Sequence, residues 1–269
     1  MAKDKIVNIF WTAGWDSTYR VIELSFQQVT IQPVYCHNSK RRSSSIELQH
    51  IKDMVKIIEN KPKTKAKFLP IEIVDISALP QDSTIENAYK EFIKEIPLGK
   101  QYVFLAKVAQ KFPGIELGVE RQDTGKGHIS SSFERFAKLI KKDNIYYLDP
   151  KGTKDFCYTI FGQMSYPIYD ISEVEMFENI KKWGYEDVMK HIWFCHTPLK
   201  EQGEWCPCGT CWPCIEKMEN NMEFLLPPKA QKRYRLGQKL AKYINRNRAS
   251  FLIHLLNFYK VKDFIAKEK

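Results

Sequence analysis

The chain has 269 residues, 43% of them hydrophobic and 13% aromatic, which is enough to bury a full core and excludes a disordered polypeptide. No stretch approaches the roughly 18 uninterrupted apolar residues of a membrane span, and residues 1–20 lack the pattern of a signal peptide, so we expect a cytoplasmic protein. The net charge of +10 is uneven: residues 229–269 hold 12 of the 42 basic and 2 of the 32 acidic residues, which leaves 30 of each in residues 1–228.

Hydrophobic patterns along the chain alternate between strand and helix. Short apolar, β-rich runs predict strands at residues 6–11, 31–35, 68–76, 115–119 and 145–148. Apolar residues at three-to-four spacing predict helices at residues 21–25, 46–58, 85–96, 102–112, 133–140 and 174–180. This alternation predicts an α/β fold with an open parallel sheet covered by helices on both faces. Sheets of this class bind their ligands beyond the carboxyl ends of the strands.

The turn between the first strand and the first helix is where phosphate chemistry is expected. It comprises Thr12, Ala13, Gly14, Trp15, Asp16, Ser17 and Thr18. Small residues before a helix N-terminus let backbone N–H groups approach an anion, and hydroxyl groups add donors. The turn lacks the ending of a Walker A loop and resembles the Ser-Gly-Gly-x-Asp-Ser loop of PP-loop pyrophosphatases, with Thr12 and Ala13 in place of serine and glycine. The alternative is that Asp16 and Ser17 only cap the helix.

A second signal is the crowding of five of the seven cysteines into residues 195–214. In a chain of this size such spacing indicates metal binding rather than disulfides. Four thiolates in a tetrahedron suit a structural zinc ion, and we predict that its ligands are Cys195, Cys208, Cys211 and Cys214. Cys206 and His196 are competing ligands, and an iron–sulfur cluster is the alternative to zinc.

The loop and the late cysteine pattern together resemble the 7-cyano-7-deazaguanine synthase (QueC-like) family of PP-loop ATP pyrophosphatases, over roughly residues 5–221. The resemblance implies an enzyme that uses ATP to adenylate the carboxylate of 7-carboxy-7-deazaguanine and forms the nitrile with ammonia, releasing AMP and pyrophosphate. It implies that residues 12–18 bind ATP, with Asp16 orienting Mg²⁺ and Ser17 binding phosphate as the catalytic pair. The substrate residues that it implies are Gly118, Glu120 and Asp123.

Two segments depart from the family pattern. Glu173, Val174 and Glu175 stand where a lysine is typical, and residues 123–128 lack the usual aromatic and cysteine pattern. Reversing a charge beside a triphosphate would alter the handling of nucleotide or substrate.

We therefore predict an ATP-binding α/β domain at residues 1–190, a zinc-binding segment packed on it at 191–228, and a basic extension of two helices at 229–269. The extension indicates docking of an acidic protein or a nucleic acid. The alternative is a helix pair packed on the body with its lysines in solvent. No membrane partner is expected, and a homodimer is left open.

Three functions are therefore considered. The leading one is the synthase that acts on the free deazaguanine with ATP, Mg²⁺ and zinc. The second is a paralogue that attaches a deazapurine to a protein or nucleic acid, as relatives in antiviral defence gene clusters are thought to do. The third is a non-catalytic, zinc-containing RNA-binding module.

Overall fold

A computed structural model of the chain describes residues 5–121, 129–220 and 222–247, with the backbone alone for residues 242–247. The described residues fall into two compact units. Unit 1 comprises those of the ranges 1–39 and 48–192, and unit 2 comprises those of the ranges 40–47 and 193–269. The cysteine segment and the basic helix that follows it thus belong to one unit, together with the short segment 40–47.

The described part of unit 1 contains eight strands: β1 (Lys5–Phe10), β2 (Val29–His37), β3 (Lys67–Phe68), β4 (Glu72–Asp75), β5 (Ile115–Glu116), β6 (Leu139–Lys142), β7 (Ile145–Leu148) and β8 (Met164–Ser165). Six of them form one sheet in the order β3-β2-β1-β5-β8, in which β4 also pairs with β2. All pairs in this sheet are parallel. The chain order reverses at β1, because β2 lies on one side of it and the later strand β5 on the other.

Helices connect these strands. They are α1 (Trp15–Ser25), α2 (Ser44–Glu59), α3 (Ser83–Glu95), α4 (Gln101–Ala109), α5 (Ile129–Phe136), α6 (Asp155–Phe161), α7 (Glu173–Trp183) and the single turn α8 (Glu186–Met189). Local sequence explains several ends. Asp82 accepts a hydrogen bond from the backbone N–H of Ile85 at the start of α3, and Gly184 ends α7 with a positive φ of 77°.

The sheet is buried on both faces. Because successive side chains of a strand point to opposite sides, two neighbouring residues of β1 show this. Phe10 of β1 belongs to a large core that joins the sheet to α3, α4, α5 and α6, in which the rings of Phe92 and Phe133 pack against Phe161. The preceding residue, Ile9, is buried on the other face, where α1 packs against β1 and β2 and α7 packs against α1. The predicted α/β class with a parallel sheet and flanking helices is confirmed.

Two predicted elements were wrong in detail. Residues 68–76 form two strands instead of one, since Pro70 lies between them and has no N–H for the sheet. Leu139 and Ile140 were assigned to a helix but lie in β6, which pairs with β7 as an antiparallel hairpin outside the main sheet. A two-residue turn at Asp143 and Asn144, with φ of 51° and 61°, closes this hairpin. A turn of this kind favours a β-hairpin. The spacing of a few apolar residues cannot by itself distinguish a helix from a strand.

Unit 2 is smaller. Its described strands are β9 (Leu199–Glu201) and β10 (Glu204–Cys206), an antiparallel pair, and its further helices are α9 (Trp212–Glu219) and α10 (Pro228–Asn247). The first helix predicted for the basic extension is thus present as α10, whereas the second falls outside the described residues. Among the residues described, no helix is long and apolar enough to cross a bilayer.

Candidate nucleotide site and candidate metal centre

The predicted phosphate loop connects β1 to α1. Ala13 has a φ of 59°, in the left-handed region that costs an L-residue about 1–2 kcal/mol and that glycine adopts freely. Ala13 is completely buried, so only a small side chain suits this position. Gly14 is the N-cap of α1, and Asp16 lies in its first turn. The first N–H groups of an α-helix have no acceptor within the helix, so this end of α1 can receive an anion.

The hydroxyl groups of the loop have different surroundings. Thr18 is completely buried, and its Oγ1 accepts a hydrogen bond of 3.0 Å from the indole N–H of Trp11. Its side chain therefore supports the loop from within unit 1. Ser17 is largely buried and donates a long hydrogen bond of 3.4 Å to the carbonyl of Gly14, whereas Thr12 is exposed. Of the three predicted hydroxyls, that of Thr12 is the most accessible to a ligand.

Trp15, the bulkiest residue of the loop, points into the protein. Its side chain is buried, and its ring lies 6.1 Å from that of Phe177 in α7. The indole is thus part of the packing between α1 and α7.

Gly118 is held directly against the start of α1. A Cβ atom added to it would lie 2.9 Å from Cβ of Asp16 and 3.2 Å from the backbone nitrogen of Ser17. The two loops meet because β1 and β5 are neighbouring parallel strands, and loops after such strands leave the same edge of the sheet. The structure therefore brings Gly118 against Asp16 and Ser17, which lie about 100 positions earlier in the sequence. The contact lies where the strand order reverses.

The other predicted substrate residues follow Gly118. Glu120 is partly buried, and Asp123 lies outside the described residues. Arg121, next to Glu120, donates to the carbonyl of Asp170 and forms an ion pair of 2.6 Å with Glu175.

Glu175, at one of the positions that depart from the family pattern, has a local structural role. Its carboxylate accepts hydrogen bonds from the backbone N–H and the hydroxyl of Ser172. Its own backbone N–H donates to the Ser172 hydroxyl, which completes a capping box at the start of α7. The hydrogen bonds to its carboxylate, with the neighbouring charge of Arg121, lower the pKa of the Glu175 carboxyl. The Glu175 carboxylate is therefore engaged with Ser172 and Arg121.

A buried ion pair, which sequence analysis missed, lies one helical turn beyond Asp16. Arg20 of α1 binds both carboxylate oxygens of Glu116 in β5, each at 2.8 Å, and its remaining nitrogen contacts Glu23 at 2.5 Å. Burial disfavours the charged form of Arg20, but the hydrogen bonds and the charge of Glu116 outweigh it, so the pKa of the guanidinium is raised. A charged residue inside an apolar strand was the available signal.

The Arg20–Glu116 pair and the contact between Asp16 and Gly118 both join α1 to the segment that contains β5. Asp16 and Arg20 are four residues apart and lie on one face of α1, while Glu116 and Gly118 are two apart along the extended chain. The ion pair thus joins the same two segments that the close approach at Gly118 joins.

A cavity of about 550 Å³ lies beside this ion pair, towards the amino ends of the strands. Its lining includes Lys5 at the start of β1 and Gln27 just beyond α1. It is therefore at the opposite end of α1 from the predicted phosphate loop and is separate from that site.

In unit 2, the structure brings the four predicted cysteines together. All four are buried, and their sulfur atoms lie within 4.8 Å of one another. Cys206 and His196 are outside this group. Three of the Sγ–Sγ distances are 3.5, 3.8 and 4.0 Å. A tetrahedral site with metal–sulfur bonds of about 2.3 Å needs about 3.8 Å between sulfurs, so these side chains fit a single ion. The four-cysteine group could therefore hold a metal ion such as zinc.

Cys208 accepts the most hydrogen bonds in this group. Hydrogen bonds with the other three cysteines and from the hydroxyl of Thr197 lower the pKa of Cys208. The backbone N–H groups of Thr210 and Cys211 also donate to its sulfur, at 3.3 and 3.2 Å. Such donors favour the thiolate, which is the form that binds a metal.

Two further residues hold the cysteine loop in place. Gly209 has a φ of 79°, and a Cβ atom there would lie 2.1 Å from the carbonyl oxygen of Ala230 in α10. Arg233 of α10 donates to the carbonyls of Cys208 and Pro207 and pairs with Glu201 at 2.6 Å. The glycine after the second predicted ligand was visible in the sequence, but its contact with α10 was not.

No family model matches the chain, and no curated protein matches it.

Proposed function

We propose that this protein is an ATP pyrophosphatase of the PP-loop type that works as a 7-cyano-7-deazaguanine synthase. The single observation that supports this most is the contact of Gly118 with Asp16 and Ser17. It joins the loop 12–18, which the resemblance implies for ATP, to Gly118, which it implies for the substrate, at the edge of a parallel sheet where nucleotides commonly bind.

The proposed chemistry follows from the charges involved. A carboxylate is a poor electrophile, so its oxygen first attacks the α-phosphorus of ATP, and the bond to the β-phosphate oxygen breaks to release pyrophosphate. Ammonia then displaces AMP and leaves the amide. The amide oxygen then attacks the α-phosphorus of a second ATP and releases a second pyrophosphate. The C–O bond breaks, so that the oxygen leaves as part of AMP, and the nitrogen loses its two protons to give the nitrile.

Residues of the loop would bind the departing pyrophosphate. The N–H groups at the start of α1 and the hydroxyls of Thr12 and Ser17 would donate to phosphate oxygens, where negative charge grows in the transition state. Asp16 would hold Mg²⁺, which supplies charge neutralisation at the phosphates when bound. The side chain of Thr18 would act indirectly, since it is hydrogen-bonded to Trp11 inside the protein.

The metal of unit 2 is proposed to be zinc in a structural role. Four thiolates fill a tetrahedral ion and leave no position for a substrate. All four sulfurs lie within 4.8 Å of one another, and three of their separations are 3.5–4.0 Å, which suits one ion. An iron–sulfur cluster binds its cysteines through separate irons and needs them further apart. Elemental analysis of the purified chain is expected to give one zinc per chain; iron with acid-labile sulfide would contradict this.

Release of pyrophosphate from ATP tests the enzymatic proposal. We expect turnover that requires both 7-carboxy-7-deazaguanine and ammonia, with the nitrile as the product detected by mass spectrometry. Hydrolysis of ATP that is indifferent to the deazaguanine would contradict the substrate, and an inert protein would contradict the reaction.

A macromolecular acceptor is the second candidate, favoured by one observation. α10 carries seven basic and no acidic residues, for which an enzyme of small molecules has no evident need. Turnover of the deazaguanine that depends on an added protein or nucleic acid instead of ammonia would favour this candidate. A protein that binds RNA but turns over no ATP would favour the third, a non-catalytic module.

A further inference from the structure

The basic residues of α10 divide into two groups. In the described part of the chain, the ion pairs of this helix are those of Lys229 and Arg233, both with Glu201. Arg233 also donates to two carbonyls of the cysteine loop, so its charge is used within unit 2. Lys232, Arg235 and Lys239 are instead exposed, and none of them forms an ion pair with a described carboxylate.

The exposed group forms a row. Lys232, Arg235 and Lys239 are separated by three and four residues, which puts them on one side of an α-helix over about 10 Å. The backbone of α10 continues as helix to Asn247, and Lys242 and Arg246 continue the same spacing in the sequence. The same side of α10 thus has a basic residue in the sequence at every helical turn.

The opposite side of α10 is occupied. Ala230, Gly237 and Ala241 are buried in unit 2, so the basic row faces away from the packing of its own unit. Two leucines border this row, Leu236 at 56% and Leu240 at 37% exposure.

We propose that this side of α10 is a docking surface for single-stranded nucleic acid. A continuous row of cations without intervening acids matches a line of phosphates, and it gains affinity by releasing counterions. The bordering leucines offer apolar contact to sugars and bases. Unit 2 also exposes the rings of Trp205 and Phe224, and aromatic rings in basic proteins stack on unpaired bases.

Other partners fit the surface less well. A lipid-binding helix needs a broad apolar face, but over residues 228–241 the apolar side of α10 is small and already buried, which leaves two leucines exposed. The buried centre of a protein–protein interface is depleted of lysine, whereas two of the three described side chains of this row are lysines. The surface is independent of ATP turnover, so it stands or falls separately from the proposed enzyme.

Binding of a fluorescein-labelled oligouridylate of about 20 nucleotides to the full chain, followed by anisotropy, tests the proposal. The key variant is Lys232→Gln/Arg235→Gln/Lys239→Gln. The matched control is Lys52→Gln/Lys94→Gln/Lys111→Gln, which removes three exposed cations from unit 1 and has the same net charge. Thermal unfolding and zinc content verify that both variants fold.

We expect the α10 variant to bind about tenfold more weakly at moderate salt, with a salt dependence reduced by about two ions, because single strands release about 0.7 ion per phosphate contact. The control is expected to bind as the unchanged chain does. Failure of the unchanged chain to bind, or equal loss in both variants, would overturn the proposal. Displacement of the oligonucleotide by polyglutamate at equal charge concentration would also overturn it, in favour of an acidic protein.

Discussion

Asp16 is the residue on which the proposed chemistry depends most. It lies in the first turn of α1 and against Gly118, so a metal bound to its carboxylate would sit at the meeting point of the two loops. Substitution Asp16→Asn keeps the shape of the side chain but removes the charge that holds Mg²⁺. We expect pyrophosphate release to fall about 100-fold or more, as when a single transition-state contact is removed, while zinc content stays the same.

Asp53→Asn is the control for this substitution, since Asp53 is a partly exposed carboxylate on α2. It should retain full turnover. Equal rates for Asp16→Asn and the unchanged protein would remove Asp16 from the proposed site.

Gly118 supports a prediction about stability that needs no substrate. Gly118→Ala forces a Cβ atom to 2.9 Å from Cβ of Asp16, so either α1 or the loop must shift. Overpacking of this kind costs about 1–3 kcal/mol in the free energy of unfolding. Urea unfolding measures it. Gly99→Ala is the control, because its nearest neighbour would lie at 3.6 Å, an ordinary contact. A similar change in the free energy of unfolding of both variants would mean that the space between Gly118 and Asp16 can accept a methyl group.

At the scale of elements, the Arg20–Glu116 pair holds α1 against β5. Removing one partner of a buried ion pair leaves the other charge without compensation, and we expect Arg20→Met to cost about 3–5 kcal/mol in the free energy of unfolding. Replacing both, as Arg20→Met/Glu116→Leu, should recover most of this loss, because two apolar side chains can fill the same space.

Chemical denaturation of the two single variants and the double variant gives the coupling energy of this pair. Lys56→Met removes the exposed partner of Asp53 and should change stability by less than about 1 kcal/mol. A double variant no more stable than Arg20→Met would mean that the pair contributes more than local charge compensation.

The cysteine loop and α10 are joined through Gly209. Gly209→Ala combines a positive φ with a clash, because the new Cβ atom would lie 2.1 Å from the carbonyl oxygen of Ala230. This oxygen is a backbone atom and cannot move aside as the end of a flexible side chain can. We expect α10 to be displaced and metal binding to be lost. Gly203→Ala separates the two causes, because Gly203 also has a positive φ, 92°, but has open space around it. It should cost only about 1 kcal/mol. Zinc stoichiometry and the unfolding midpoint of the two variants check this.

At the scale of the whole molecule, the two units should respond differently to metal removal. The four cysteines that could hold a metal ion lie in unit 2, and the parallel sheet and its aromatic core lie in unit 1. Because structural zinc contributes directly to folding free energy, chelation should deprotect amides of residues 199–219 in hydrogen exchange. The amides of β1 and β2 should keep their protection. Uniform deprotection of both units would show that they unfold together.

Much of this protein could be predicted from sequence because the signals are local. The alternation of strand and helix patterns indicated the α/β class, the small residues after β1 indicated a tight turn before a helix, and the cysteine spacing indicated the four members of the cysteine group. Each of these depends on residues within one element or on two neighbouring elements. Residues 139–140 misled the prediction, because a few apolar residues at helical spacing do not outweigh a strong hairpin turn.

Only the tertiary structure decided which distant segments touch. The order in which parallel strands assemble brought Gly118 to Asp16 and Glu116 to Arg20, and packing of α10 brought Ala230 to Gly209. The same folding divided the cations of α10 into those used inside unit 2 and those left in solvent. Sequence patterns report the period of a helix or strand and the chemistry of its side chains. They carry no information on the register between elements far apart in the chain, because packing across the whole core determines it.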